Sequence, residues 1–261
     1  MLFSFGFLGG GAANTARTQA FLTATGISDA TIISALNAMD NSLISAGLLP
    51  SGTGAGKIKV LYPFVGGTAA THKFNFVNPA DTDSAFRLTF FGGWTHSATG
   101  ALPNGTNAYA NTFINWNTHT NLNDVSFGCY WRDIVLSGSG GYYGCFDGVN
   151  LVLVRNQTSC DYYINDTGGV TIQTLFVGLH SATRLNNTQV KLAVNGVGAL
   201  LSKVSSGKPN VDFWLGGSNT FTSFNNSEIA LFFQSDGLSD AENVSFYNIV
   251  QTFQTVLNRQ V

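Results

Sequence analysis

The stretch "EIALFFQSDGLSDAENVSFYNIVQTFQTVLNR" (Glu228–Arg259) changes its periodicity halfway along. Ile229 to Phe233 is a short apolar run of strand length. Ser239 and Glu242 then form an S-x-x-E capping box, in which each side chain satisfies the other's backbone N–H at a helix start. Phe246, Ile249, Phe253 and Val256 follow at helical spacing on one face. The stretch therefore predicts a strand, a turn and an amphipathic closing helix that lies on a sandwich rim or against a sheet face.

Upstream the chain is strand-like. "KIKVLYPFVGG", "FRLTFFGGW", "DVSFGCYW", "NLVLVRN", "CDYYIN", "TLFVGLHSA" and "VDFWLGG" are short β-branched and aromatic runs, parted by Gly, Asn, Ser and Asp. Within "QVKLAVNGVGALLSKV", Asn195-Gly196 between two apolar runs signals a tight hairpin. The expectation is a mostly β fold, a two-sheet antiparallel jelly-roll sandwich over residues 57–261 that includes the closing helix. Ahead of it, residues 27–56 hold an amphipathic helix and a glycine-rich linker. Ser28 is its expected N-cap, with Asp29 in the first turn and Ile32, Leu36, Met39 and Leu43 on one face. Gly47 and Pro50 supply its stop. Residues 1–26, opening "MLFSFGFLGGGAAN", lack the positive region of a signal peptide and are expected to form a Phe-rich arm that anchors on a neighbour.

Composition narrows the function. Apolar residues make up 44% of the chain and charged residues only 10%, so Asn, Thr, Ser and Gly must build the polar surface. About 25% charge is usual for soluble domains. A net charge of −2 with no basic run argues against nucleic acid as a partner, and no apolar run is long enough to span a membrane. The three cysteines, Cys129, Cys145 and Cys160, show no metal-ligand spacing and read as thiols of a protein assembled in a reducing cytoplasm, although Cys129 and Cys145 could face each other on adjacent strands.

Four stretches, "YPFVGGTAATHKFNF", "GALPNGTNAYANT", "KLAVNGVG" and Glu228–Arg259, together resemble the laminin-G-like, concanavalin-A-like jelly-roll structural proteins of tailed bacteriophages, notably those of Bacteroidetes hosts. The resemblance covers roughly residues 58–259 and implies a curved two-sheet sandwich on a virion surface, in head, tail or fibre. It implies a lectin-like module adhering to host or environmental glycans, with a passive capsid decoration or assembly protein as the alternative and a polysaccharide depolymerase as a third reading. Other virion proteins, reached through the arm, and further copies of the chain are the expected partners. The family's form of the "NGTNAYANT" stretch places Asn104-Gly105 at a turn into an early strand, with Tyr109 packed inward.

Catalytic motifs are sparse, and the expectation is no enzyme. Glycoside hydrolysis uses two carboxyl groups flanking the bond. The chain has only two glutamates: Glu242 belongs to the capping box, and Glu228 has no acidic neighbour two residues away. His72, His96, His119 and His180 are scattered, and no H-E-x-x-H or phosphate-cradling loop occurs. No cofactor is expected; for calcium, Asp81 with Asp83, or Asp161 with Asp166, are the weak candidates, against a reading as turn-capping aspartates. For glycan contact the candidates are Trp116 amid Asn115, Asn117 and His119 in an asparagine-rich loop, and Tyr142 and Tyr143 on a glycine-rich one. The competing reading folds Trp116 back onto the core. Trp94, Trp131 and Trp214, inside strand-like runs, are expected to be core.

Overall fold

The computed structural model describes residues 13–135, 141–156, 160–172, 176–219 and 224–261; the side chains of residues 141, 142, 155, 156, 160 and 172 also lie outside what is described. Two helices, α1 (Ala16–Thr25) and α2 (Ala30–Ser45), lead into β1 (Ile58–Tyr62) and the short α3 (Ala69–His72). Then come β2 (Thr89–Phe91), β3 (Trp94–His96), β4 (Ala101–Pro103), β5 (Tyr109–Asn115), α4 (Trp116–His119) and β6 (Val125–Trp131). β7 (Gly141–Phe146), β8 (Leu151–Asn156), β9 (Cys160–Ile164) and β10 (Val170–Ile172) follow. The chain continues through β11 (Gly178–Arg184), β12 (Gln189–Val194), β13 (Val197–Ser202), β14 (Asp212–Leu215) and β15 (Ile229–Ser235) to α5 (Asp240–Val256).

The strands form two antiparallel sheets. One has the order β13-β12-β11-β6-β15-β4-β3, with β1 also paired to β15; the other runs β10-β9-β8-β7-β14-β5-β2. Between the sheets lies one core, in which Trp116, Phe127, Phe213 and Phe232 pack ring against ring at 5.3–5.6 Å. A second core lies between the outer face of the first sheet and the helices, built from Phe21, Leu36, Met39 and Leu43 with Tyr130, Leu231 and Phe233 of the sheet and Phe246, Val250 and Phe253 of α5. The molecule thus has three layers.

That arrangement explains the central strands. β6 and β15 are buried along their whole length, because helices cover one face and the second sheet the other. A strand with two dry faces has no reason to alternate apolar and polar residues. Gly128 of β6 marks how close the neighbours come: a Cβ there would sit 2.0 Å from the His180 carbonyl oxygen.

The helix ends follow their capping chemistry. In α5 the Ser239/Glu242 box forms as expected, and Lys57, just before β1, donates to Glu242. Phe246 and Phe253 are buried and Ile249 partly so, whereas Val256 at the end of the helix is 42% exposed. In α2 the cap is Asp29, not Ser28: its carboxylate accepts from the Thr31 and Ile32 N–H groups at 2.9 Å. The expected arm also gives way within its length. Residues 1–12 lie outside the described residues, but from Ala16 the chain is helical, capped by Thr15 and closed by Gly26 at φ 69°. α1 buries Phe21 against Phe76 and pairs the fully buried Arg17 with Asp40 of α2. Arg259 fixes the other end of the chain, donating to the carbonyls of Pro63, Phe64 and Ala230. Cys129 and Cys145 are buried on different sheets, so they do not face each other on adjacent strands.

Candidate functional site

Trp116 is fully buried, which corrects its reading as an exposed sugar platform. Asn115 caps the one-turn α4, accepting from the N–H groups of Asn117 and Thr118, and this turn swings the indole inward between Phe127 and Phe213. There its Nε1–H donates to Asn165 Oδ1 at 2.9 Å. Tyr143 is also buried, edge-on to Trp131, with its hydroxyl on the Ser227 carbonyl; the Tyr142 side chain lies outside the described residues. A ring with no exposed face cannot stack on a sugar. Of the expected loop set, Asn117 and His119 are exposed, the latter edge-on to Phe86 at 4.9 Å.

The aspartates have other partners. Asp81 is paired with Lys73 at 2.6 Å and Arg87 at 3.5 Å, and Asp83 with Arg87 at 2.9 Å, so each carboxylate of the calcium candidate already faces a cation. Asp166 is buried and accepts from the N–H groups of Ile164, Gly168 and Gly169 and from Arg184; Asp161 accepts from Thr171. These are loop fasteners. Within the stretch Gly100–Thr112 the turn 104–108 is scaffold: Asn104 Oδ1 accepts from the N–H groups of Thr106, Asn107 and Ala108, with Gly105 at φ 70°.

The outward face of β5 and β14 gathers what those loops do not. In β5 burial alternates, with Ala110, Thr112 and Ile114 buried and Tyr109, Asn111, Phe113 and Asn115 half-buried, and Phe113 at φ 56° marks a bulge against β14. β14 does the same, with Phe213 and Leu215 inward and Asp212 and Trp214 outward. Because Phe91 pairs with Tyr109 and Trp214 with Asn111, three rings stand in a row across strands β2, β5 and β14. Phe91 and Tyr109 stack at 4.7 Å and 15°, Tyr109 and Trp214 at 4.0 Å and 16°. Opposite Trp214 on β7 stands Gly144, which places no side chain there.

Beyond the rings the strip turns polar. Asn111 Nδ2 donates to Asp212 at 3.1 Å, and Asn115 Nδ2 to Asn210 Oδ1 at 3.2 Å. Tyr109, facing outward, corrects its inward placement, and Trp94 and Trp214 are half-buried rather than core; only Trp131 of those three is fully inside. One signal for this face lies in "YANTFIN", where aromatic and amide side chains occupy alternate positions. Rings at one end and amides with a carboxylate along the rest suit a ligand with both C–H faces and hydroxyls.

Titratable groups elsewhere are drawn into packing. His72 and His96 share one hydrogen bond between their Nδ1 atoms at 2.9 Å. Burial, helped by His96 and Arg259, lowers His72 to about 3. Burial likewise lowers His180 to about 4, with Tyr162 and the Phe176 carbonyl as its partners. Glu228 bonds Thr99 at 2.6 Å and Arg132 at 3.0 Å. Among the described residues no three metal-ligating side chains come together.

No protein-family model matches the chain, and no curated protein matches it in sequence. Solved structures do. A Trypanosoma rangeli sialidase in complex with sialic acid aligns over 83% of this chain at 9% identity and TM-score 0.52. A mutant of that sialidase displaying trans-sialidase activity aligns over 84% at 9% identity and TM-score 0.53. Domain 4 of a GH43 extracellular arabinanase from Geobacillus stearothermophilus, in complex with arabinotriose, aligns over 73% of this chain and 98% of its own at 12% identity and TM-score 0.48. The chain spans 38% of the length of the sialidases it matches, and at these identities what it shares with them is the β-sandwich fold.

Proposed function

We propose that the chain is a structural protein of a bacteriophage virion, displayed on the particle surface after assembly in the host cytoplasm, whose sandwich adheres to glycans through the outward face of β5 and β14. The observation that carries the binding reading is the half-buried stack Phe91–Tyr109–Trp214 continued by Asn111, Asp212 and Asn115. Rings left partly open on a sheet, beside Asn111 and Asn115 amides held in place with a second Nδ2–H left to donate to a ligand's hydroxyl, match the demands of a pyranose. The virion setting is supported by the four-stretch resemblance and by a surface poor in charge. Binding rather than catalysis is favoured because Glu228 is tied to Arg132 and Thr99, and Glu242 to Lys57 and its helix cap.

The test is retention on host cells and on a panel of host capsular and exopolysaccharides. Trp214→Ala is expected to weaken retention about tenfold, the worth of one aromatic stacking contact. Unchanged retention by both Trp214→Ala and Asn111→Ala, with the fold intact by circular dichroism, would remove this face from the proposal. A decoration protein without ligand is the second reading, favoured by the exposed apolar strand β13. It expects no polysaccharide on the panel to be retained by the wild type.

A further inference from the structure

β13 ends its sheet, and among the described residues no strand pairs with its outer edge. Asn195 and Gly196, at φ 52° and 76°, make the two-residue turn from β12, so Val194 and Val197 form the first hydrogen-bonded pair. By alternation Gly198, Leu200 and Ser202 then direct their N–H and C=O groups away from β12. The strand is also apolar and exposed: Val197 is 80% and Leu200 61% open. Val197–Ser202 holds no charge and no proline, the usual guards of a sheet edge. Leu201 on its inner side, and Val170 of the facing sheet, are only partly covered at the margin of the intersheet core.

The sequence contains a strand of matching chemistry. In "MLFSFGFL", Phe3, Phe5 and Phe7 alternate with Leu2, Ser4, Gly6 and Leu8, and Gly9-Gly10-Gly11 follows. Extended, such a segment carries three rings on one side. We infer that the N-terminal segment of one copy adds as a strand to the β13 edge of a second copy, its phenylalanines covering Val197, Ala199 and Leu201.

Reach decides between the same copy and another. α1 packs by Phe76 and β1, five strand spacings from β13 through β15, β6, β11 and β12, or ~24 Å. Residues 9–14 span at most ~20 Å when extended, so residues 2–8 cannot lie along β13 of their own chain. Three phenylalanines at roughly 150–250 Å² each come close to the ~800 Å² per partner of a stable interface. Donor and acceptor sit at opposite ends of the sheet, so the contact is head-to-tail and propagates as a ring or a filament. It does not depend on glycan binding.

The experiment mixes full-length Phe5→Cys chain with full-length Leu200→Cys chain and adds a short bis-maleimide, with wild type as the background control. Crosslinked dimer is expected in the mixture and in neither variant alone. Separately, Leu200→Lys, at an exposed position, is expected to weaken self-association at least about tenfold by sedimentation while leaving the thermal melt unchanged. Three results overturn the inference: a wild type that stays monomeric, a mixture that gives no dimer, or a Phe5→Cys/Ala20→Cys chain that crosslinks within itself. The last would place the segment in the ≈ 970 Å³ groove beside α1 lined by Ala16, Ala20 and Phe86. Loss of glycan retention in Trp214→Ala would leave all of these readouts unmoved.

Discussion

Replacing Trp116 by Phe separates a packing role from a binding one. The indole is buried between Phe127 and Phe213, and its N–H is the group facing Asn165 Oδ1. Asn165 is itself buried, at φ 59°, with its Nδ2 on the Leu122 carbonyl. A phenyl ring keeps most of the contact but leaves that carbonyl oxygen without a donor, at a cost of about 1–3 kcal/mol. The ring atoms lost add about 1 kcal/mol. The sum, about 2–4 kcal/mol, is a drop of roughly 1 M in the urea midpoint if the slope is near 3 kcal/mol/M. Urea denaturation followed by tryptophan fluorescence at pH 7 measures it, and Asn165→Ala in the Trp116→Phe background should then cost less than it does alone. Glycan retention by the folded Trp116→Phe chain should equal wild type. A variant as stable as wild type but unable to bind would refute the reasoning and return Trp116 to the ligand.

Two further outcomes are expected. His180 and His72 lie at about 4 and about 3 in the fold against an ordinary 6.5, so below pH 6.5 the unfolded chain takes up protons that the folded chain refuses. Stability is therefore whole above that value and is lost as pH falls towards 4 and then 3, by about 2 kcal/mol per histidine at pH 5; a urea midpoint unchanged between pH 7 and pH 5 contradicts this. Gly128→Ala forces a Cβ to within 2.0 Å of the His180 carbonyl oxygen in the middle of the sheet. It should cost more than ~3 kcal/mol, seen as lost soluble yield or a collapsed melting temperature, and a near-native melt would disprove the close approach.

What the sequence reveals depends on how local the cause is. α5 is readable because its cap and its apolar face lie within the continuous stretch Ser239–Val256, and the β12–β13 hairpin because Asn195-Gly196 dictates its turn. α1 is not. Its inward residues are Phe21 and Leu22 beside Arg17, whose burial makes sense only once Asp40, on another helix, is opposite it. The site fails in the same way. Trp116 in an asparagine-rich loop looks exposed until Asn165, forty-nine residues on, is found holding its N–H. Trp214 looks like core until strand pairing sets it beside Tyr109 on the outward face. Alternation was visible in "YANTFIN", but which half of it meets water is decided by the partner sheet.

The place of β15 has a consequence for how the chain is made. This strand lies between β6 and the β1 and β4 edges, and Arg259 clasps carbonyls of residues 63, 64 and 230. Until residues 229–235 have emerged from the ribosome, the first sheet exists only as two fragments with a vacant slot between them, each showing an apolar edge. Closure waits for β15 and joins partners about 100 to 180 residues apart, the kind of long-range pairing that folds slowly and exposes sticky intermediates on the way. Premature termination near residue 228 should therefore yield insoluble chains, not a smaller working sandwich.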